Sequence, residues 1–153
     1  MNIPCLVADI MTRDVAVLHE EDNVEHILQR MDGLQLRHVP VVDGSRLVGL
    51  VSHQDMLRLT VTELLLDDPV SRTRGQFLEE QEENTFVARV MTRDPVTVTP
   101  QTPIANAAEL LLRTKIGCLP VVDNDRLVGI VTKTDLLGLL VQLLNAGPAA
   151  SAA

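Results

Sequence analysis

The chain has 153 residues and a formal net charge of −8, and 46% of its residues are hydrophobic. A chain of this length can bury a real core, whereas its excess of acidic side chains argues against a surface that binds the phosphates of DNA or RNA. With no Trp or Tyr and only Phe77 and Phe86, it cannot build an aromatic platform for stacked bases, so any bound purine has to lie between aliphatic side chains.

The cysteines and the apolar runs bound the cellular setting. Cys5 and Cys118 are too few and too differently placed to predict a disulfide framework, and no Cys or His residues have metal-ligand spacing. The first residues lack a basic and apolar leader, and no stretch approaches the roughly 18 apolar residues of a membrane span. We therefore expect a soluble cytoplasmic protein that engages neither membrane nor nucleic acid.

The chain is one unit written twice. Residues 7–14 return eighty residues later as residues 87–94, and the same offset then holds without a gap. Pro40-Val41-Val42-Asp43, for example, recurs at 120–123, and Arg46-Leu47-Val48-Gly49 recurs at 126–129. Internal repetition indicates a repeated structural unit, so we expect a body with pseudo-two-fold symmetry and two equivalent clefts.

The first copy predicts a short strand, a helix and a hairpin in that order. The strand is expected at residues 15–18, and Asp22 is placed to cap a helix that Gly33 ends. The apolar residues of this helix follow the i, i+3, i+4, i+7 spacing, and they are Val24, Ile27, Leu28 and Met31. Two β-branched runs at 39–42 and 47–51 enclose the turn residues 43–45, which predicts a β-hairpin.

The second copy repeats this order. A short strand at 96–98 precedes a helix with Thr102 as its cap and Pro103 as its first residue. Its buried stripe is expected to contain Ile104, Ala107, Ala108 and Leu111. The hairpin at 119–131 turns at Asn124 and Asp125, residue types that tolerate a left-handed backbone. Each copy is thus a β-α-β-β-α unit.

The helix after the second hairpin leaves little polar face. Its apolar residues are Leu136, Leu137, Leu139, Leu140, Val141, Leu143 and Leu144. Such a helix has to be buried on more than one side, and a chain of this size offers few surfaces for that. We therefore predict a homodimer contact, which would also include Leu57, Leu59, Val61 and Leu64 to Leu66. Packing of the two copies against each other is the alternative.

These elements divide the chain into four parts. The first repeat covers residues 1–66, an acidic linker covers 67–84, the second repeat covers 85–145, and a tail at 146–153 has nothing to bury. We expect the linker to be solvated and the tail to be disordered.

The junction where each hairpin ends is the candidate for chemistry. Ser52 and Asp55, and likewise Thr132 and Asp135, place a hydroxyl and a carboxylate three residues apart where a strand becomes a helix. One interpretation is a capping box, which needs no ligand. The other is that the helix start faces an anion while the carboxylate accepts hydrogen bonds from a vicinal diol such as a ribose. The spacing alone leaves both open.

The ensemble of motifs resembles the CBS domain (cystathionine β-synthase domain), and specifically the tandem pair called a Bateman module. The resemblance covers residues 6–61 and 86–144. The motifs that carry it are Asp-Ile-Met-Thr at 9–12 and Arg-Val-Met-Thr at 89–92, the two Pro-Val-Val-Asp strands and the two Gly-hydrophobic-hydrophobic-Ser/Thr-x-x-Asp junctions. It implies a mixed α/β fold (α+β) of two CBS repeats packed with pseudo-two-fold symmetry. It also implies that the junctions hold the ribose of AMP, ADP, ATP or S-adenosylmethionine.

Clefts in this family are usually formed by both repeats, and the resemblance implies the same here. One cleft would contain Thr132, Lys133, Thr134, Asp135, Met11, Leu36, Arg37, His38 and Pro40. The other would contain Ser52, His53, Asp55, Met91, Ile116, Gly117, Cys118 and Pro120. The first gathers more positive charge, so we expect it to bind phosphorylated nucleotides more tightly. The second is expected to be weaker or to prefer a less charged adenosine ligand.

Most of these residues also have an interpretation without a ligand. Arg37, His38 and Lys133 are equally expected as solvated charges, and Met11 and Met91 as core fillers, since Met suits irregular gaps. Cys118 is expected to be a small buried strand residue.

The sequence does not predict an enzyme. The four histidines, at 19, 26, 38 and 53, show no metal-ligand spacing, and no Ser-His-Asp or Cys-His signature is present. The function expected is a stand-alone regulatory module with no required cofactor, an adenosine-type effector and an unidentified regulated protein. The alternative is a ligand-free dimerisation or protein-interaction module.

Overall fold

The computed structural model describes residues 4–58 and 86–147. The predicted acidic linker at 67–84, the dimer residues from Leu59 to Leu66 and most of the predicted disordered tail lie outside the described residues.

The helices and strands follow the chain in the predicted order. They are α1 (Val7–Ile10), α2 (Glu25–Gly33), β1 (His38–Asp43), β2 (Arg46–Ser52), α3 (53–58), α4 (Val87–Val90), β3 (Thr92–Arg93), α5 (Ile104–Thr114), β4 (Cys118–Asp123), β5 (Arg126–Thr132) and α6 (Lys133–Asn145). The mixture of helices with antiparallel strands, present in two copies, confirms the predicted fold class.

The chain folds into two compact units that exchange their leading segments. Among the described residues, the first-hairpin unit contains residues 16–58 and 86–95, and the second-hairpin unit contains residues 4–15 and 96–147. Helix α1, which precedes the first repeat in sequence, therefore belongs with the second hairpin. Helix α4, which precedes the second repeat, belongs with the first hairpin.

The two hairpins have the same register. In the first, β1 and β2 pair antiparallel from His38 opposite Ser52 to Asp43 opposite Arg46. In the second, β4 and β5 pair from Cys118 opposite Thr132 to Asp123 opposite Arg126, and each hairpin has its bulge at the equivalent position. The turns confirm the prediction from residue type. Gly44, Asn124 and Asp125 all have positive φ, at 61°, 49° and 63°.

The short strands predicted at 15–18 and 96–98 are only single bridges. Leu18 bridges Val41 in parallel, and Val98 bridges Val121 in the same way. Each residue donates from its N–H to the carbonyl of the buried proline in the adjacent strand, at 2.9 Å for Leu18 and 3.1 Å for Val98. The alternating residues are therefore held against the hairpin without forming a longer ladder.

The predicted helix caps are wrong at both copies for the same reason. Helix α2 begins after Val24 and α5 begins after Pro103, and neither has a side-chain cap. The Asp22 carboxylate accepts from the N–H of His19 at 2.8 Å, and the Thr102 hydroxyl accepts from the N–H of Thr99 at 3.0 Å. These side chains close the turn that leads into the helix, because a residue that satisfies the backbone three positions before it is not directed at the first helical turn.

Each unit has its own hydrophobic core. In the first-hairpin unit, α2 contributes Ile27 and Met31, and they pack with strand residues such as Val41 and Val51. In the second-hairpin unit, α5 contributes Ala107 and Leu111 as predicted, and they pack with strand residues such as Val121. The leading segments complete these cores with Val87 and Val7 respectively.

Helix α6 is amphipathic only weakly, and none of its residues is buried. Its large apolar side chains at 137, 140, 141 and 144 are 49% to 72% exposed. Within the described residues, no helix combines the length and apolarity needed to cross a membrane.

Candidate functional site

Both junctions form the same closed hydrogen-bond arrangement. At the second, Oδ2 of Asp135 accepts from the backbone N–H of Thr132 at 2.7 Å and from its hydroxyl at 2.8 Å, and the Asp135 N–H donates to that hydroxyl at 3.2 Å. At the first, Oδ2 of Asp55 accepts from the N–H of Ser52 at 3.1 Å and from its hydroxyl at 2.5 Å, with a return bond of 3.2 Å. The capping box is therefore present in both copies.

This arrangement fixes a partly exposed carboxylate at the start of a helix. The bonds in each junction converge on one oxygen, Oδ2, while an ionised carboxylate offers about four acceptor positions. Acceptor capacity therefore remains for the hydroxyls of a ligand, and the rotamer of the aspartate is set in advance by its own strand end. Capping and diol binding are thus compatible in one geometry.

The segment before each hairpin is joined to the junction of the same unit. The carbonyl of Arg37 accepts from the N–H of His53 at 2.8 Å, and the carbonyl of Gly117 accepts from the N–H of Lys133 at 3.1 Å. Because His38 and Cys118 also lie opposite Ser52 and Thr132 in the strand ladders, the predicted pocket segments run beside the junctions.

The predicted site residues fall into two groups by unit. The first-hairpin unit contains Leu36, Arg37, His38, Pro40, Ser52, His53, Asp55 and Met91. The second-hairpin unit contains Met11, Ile116, Gly117, Cys118, Pro120, Thr132, Lys133, Thr134 and Asp135. Their assignment to clefts formed by both repeats stays a prediction.

Several of these residues are buried inside their own unit. Pro40, Pro120 and Cys118 are among the most deeply buried side chains, and burial raises the pKa of the Cys118 thiol to about 12. Met11 and Met91 are buried as well, and each lies against the strand glycine of its unit, Gly129 or Gly49. These positions line the floor of the junction region rather than its surface.

The first-hairpin unit has an open cavity that the sequence motifs did not predict in full. Its volume is about 420 Å³, and it is lined by Met31, Asp32, Gln35, Leu36, Arg37 and His53. Leu36, Arg37 and His53 were predicted site residues, whereas Met31, Asp32 and Gln35 were not. The Asp32 carboxylate is 2.8 Å from Nε2 of His53, which joins the end of α2 to the start of α3.

One signal in the sequence points to Asp32. Eighty residues on, Asp32 and His53 are replaced together by Leu112 and Lys133, so the acid is present in the copy that has the imidazole. Helical periodicity assigns Asp32 only to the exposed face of α2. Within the part of the chain that the structure describes, no three His, Cys, Asp or Glu side chains are placed to hold a metal ion.

Comparison with known proteins gives one consistent family. Residues 7–61 and 87–142 each match the model of the CBS domain. A CBS domain-containing protein of Dictyostelium discoideum is 29% identical over 145 residues, which are 94% of this chain and 96% of that protein.

Two solved structures of this family are similar over nearly the whole chain. A putative acetoin utilization protein (AcuB) from Vibrio cholerae is 32% identical, with a TM-score of 0.76 over 95% of this chain and 98% of that one. CBSX2 of Arabidopsis thaliana, solved in complex with AMP, is 30% identical, with a TM-score of 0.75 over 92% of this chain and 99% of that one.

Proposed function

The chain belongs to the CBS-domain family, as its motifs predicted, and on that premise we propose that it is a regulatory module that binds adenosine nucleotides and signals by a conformational change. The effector would be AMP, ADP, ATP or S-adenosylmethionine, with no required cofactor and no catalysis. The observation that carries the proposal is the pair of preset carboxylates at Asp55 and Asp135. The complex of the similar CBSX2 with AMP supports an adenosine-type ligand.

The signalling step requires two states with different affinities for the ligand. A ligand held at a junction would stabilise one of these states, and a regulated protein in the same compartment, which we propose is the cytoplasm, would recognise it. We also propose that the two junctions differ. The Asp135 junction, next to Lys133, would bind phosphorylated nucleotides more tightly than the Asp55 junction.

Thermal unfolding with and without ligand tests the proposal. A ligand that binds only the native state at one hundred times its Kd adds about 2.7 kcal/mol, which for a chain of this size raises the Tm by roughly 5–10 °C. We expect AMP, ADP, ATP or S-adenosylmethionine to produce such a shift in the wild type. Asp135→Ala should remove most of it and Asp55→Ala a smaller part. Calorimetry suits a chain without Trp or Tyr.

Asp9→Ala is the matched control. The Asp9 carboxylate also accepts two backbone N–H groups at the start of a short helix, from Leu6 and Cys5 at 2.9 Å each, but it lies outside both junctions. Its replacement should lower the Tm of the ligand-free protein and leave the ligand-induced shift unchanged. Equal loss of that shift in Asp9→Ala and Asp135→Ala would contradict ligand binding at the junction, and so would the absence of any shift in the wild type.

A homodimerisation module is the second candidate function, and the exposed apolar face of α6 favours it. We propose that two copies bury this face against each other. Sedimentation velocity should then show a dimer in the wild type and a monomer in the double variant Leu140→Gln, Leu144→Gln. Leu112→Gln is the control, because Leu112 is 74% exposed on α5 rather than α6. A wild-type monomer at 100-fold increasing concentration would refute the dimer.

A further inference from the structure

We propose that Asp32 is an internal anion that competes with the phosphate of a nucleotide for His53 and Arg37, and so makes the first-hairpin unit select less charged ligands. The inference rests on the proposed function, because it concerns which adenosine ligands the Asp55 junction accepts. The contact between the Asp32 carboxylate and Nε2 of His53, at 2.8 Å on the wall of the 420 Å³ cavity, is the observation behind it.

The contact assigns the hydrogen of the imidazole. An ionised carboxylate only accepts hydrogen bonds, so Nε2 of His53 donates to Asp32. The backbone N–H of His53 is also engaged, by the carbonyl of Arg37 at 2.8 Å. A phosphate that enters the cavity therefore finds both of these donors occupied, and one of them is occupied by a group of the same sign and chemistry as itself.

Charge in the cavity acts in the same direction. The charged or titratable residues that line it are Arg37, His53 and Asp32, and the others are neutral. The Asp32 carboxylate thus offsets the guanidinium of Arg37 and repels a second anion placed beside it. Adenosine, which has no phosphate, does not meet this repulsion.

The exposure of the pair makes this a competition rather than a block. The side chain of Asp32 is 64% exposed and that of His53 is 23% exposed, so the carboxylate can rotate into solvent when a phosphate displaces it. An ion pair at this exposure corresponds to about 2- to 5-fold in an equilibrium constant. With the repulsion added, we expect Asp32 to weaken phosphate binding about 3- to 10-fold.

The second-hairpin unit supplies the comparison. The positions equivalent to Asp32, Gln35 and His53 are Leu112, Lys115 and Lys133, and all three side chains are exposed. Leu112 cannot occupy a cationic donor, and the two lysines add positive charge. The two copies therefore differ in charge at the positions around the junction, while their hairpins keep the same register.

Calorimetric titration of the full chain tests the inference. In an Asp135→Ala background, which leaves the Asp55 junction, AMP and adenosine are titrated into proteins with Asp32, Asp32→Asn or Asp32→Leu. We expect AMP affinity to rise about 3- to 10-fold in both variants and adenosine affinity to change less than 2-fold. In an Asp55→Ala background, Leu112→Asp should lower AMP affinity at the Asp135 junction by a similar factor.

The outcomes separate the inference from the proposed function. Equal changes for AMP and adenosine, no change for AMP, or a failure of AMP to bind the Asp32 variants would overturn the inference, while AMP binding at the Asp135 junction would still support the proposed function. A failure of AMP and adenosine to bind any of the proteins, wild type included, would overturn both.

Discussion

The seating of the leading segments on the strand glycines predicts that Gly129→Ala destabilises the protein strongly. A Cβ at Gly129 would lie 2.8 Å from the backbone oxygen of Thr12 and 2.9 Å from Sδ of Met11. Ordinary contact begins at 3.4 Å, so the backbone at Thr12 has to move by about 0.6 Å.

That movement acts on two further interactions. Thr12 exchanges two hydrogen bonds with Ile130, its N–H donating at 2.9 Å and its oxygen accepting at 2.9 Å. Overpacking costs about 1–3 kcal/mol, and each weakened hydrogen bond contributes up to about 1 kcal/mol. We therefore expect Gly129→Ala to lower the free energy of unfolding by about 2–4 kcal/mol.

The same substitution in the first copy should cost less. A Cβ at Gly49 meets mainly Sδ of Met91, the end of a flexible side chain, and its distance to the Thr92 oxygen is 3.2 Å. Because Met91 can change rotamer and the backbone needs only a few tenths of an ångström, we expect a loss of about 1–2 kcal/mol.

Urea unfolding followed by circular dichroism measures the series, with Gly138→Ala as control. Gly138 lies within α6 with nothing within 4 Å of its added Cβ, so alanine there should raise stability by up to about 1 kcal/mol through helix propensity. The m-values should stay constant. If Gly129→Ala proved no less stable than Gly49→Ala, the seating of residues 11–12 on the second hairpin would be refuted.

Two further predictions follow from protonation and exposure. Because the pKa of the Cys118 thiol is raised to about 12 from an ordinary 9.0 by burial, a thiol reagent at pH 8 should modify one cysteine per native chain, the exposed Cys5, and two in denaturant; rapid modification of both in the native protein would contradict the burial. Since an unfolded Cys118 loses its proton from pH 9 while the folded one does not, stability from this thiol should fall as pH rises from 9 towards 12, and Cys118→Ser should remove that slope. The N–H groups of Leu6 and Cys5 hold the pKa of the Asp9 carboxyl below its ordinary 3.8, so Asp9→Asn should lower the Tm at pH 7 and this difference should vanish as pH falls below 3.8; a difference that persists at lower pH would show that charge is not the cause.

Local patterns predicted most of the fold because they depend on neighbours in sequence. The hairpins follow from β-branched runs around turn residues, and Asn124 and Asp125 adopt the left-handed backbone expected of their types. The caps at Asp22 and Thr102 failed because the same side chains satisfy the preceding turn equally well.

Tertiary contacts decided what the sequence did not predict. Helix α1 belongs with the hairpin of the other repeat, and a repeat with a fixed offset contains no information on which copy a segment joins. The Asp32 contact with His53 spans 21 residues and two helices. The junctions were predictable because all their partners lie within three residues of one another.

The two copies together separate folding from selectivity within one chain. Positions that set the backbone keep their residue type at the fixed offset, as with Gly49 and Gly129 or Pro40 and Pro120, since a change there meets a buried neighbour. Exposed positions beside the junction change in charge, as with Asp32 and Leu112. Since both junctions retain the same hydrogen-bonded carboxylate, the ligand's diol would be held alike in each, and the discrimination between ligands would come from the charge around it.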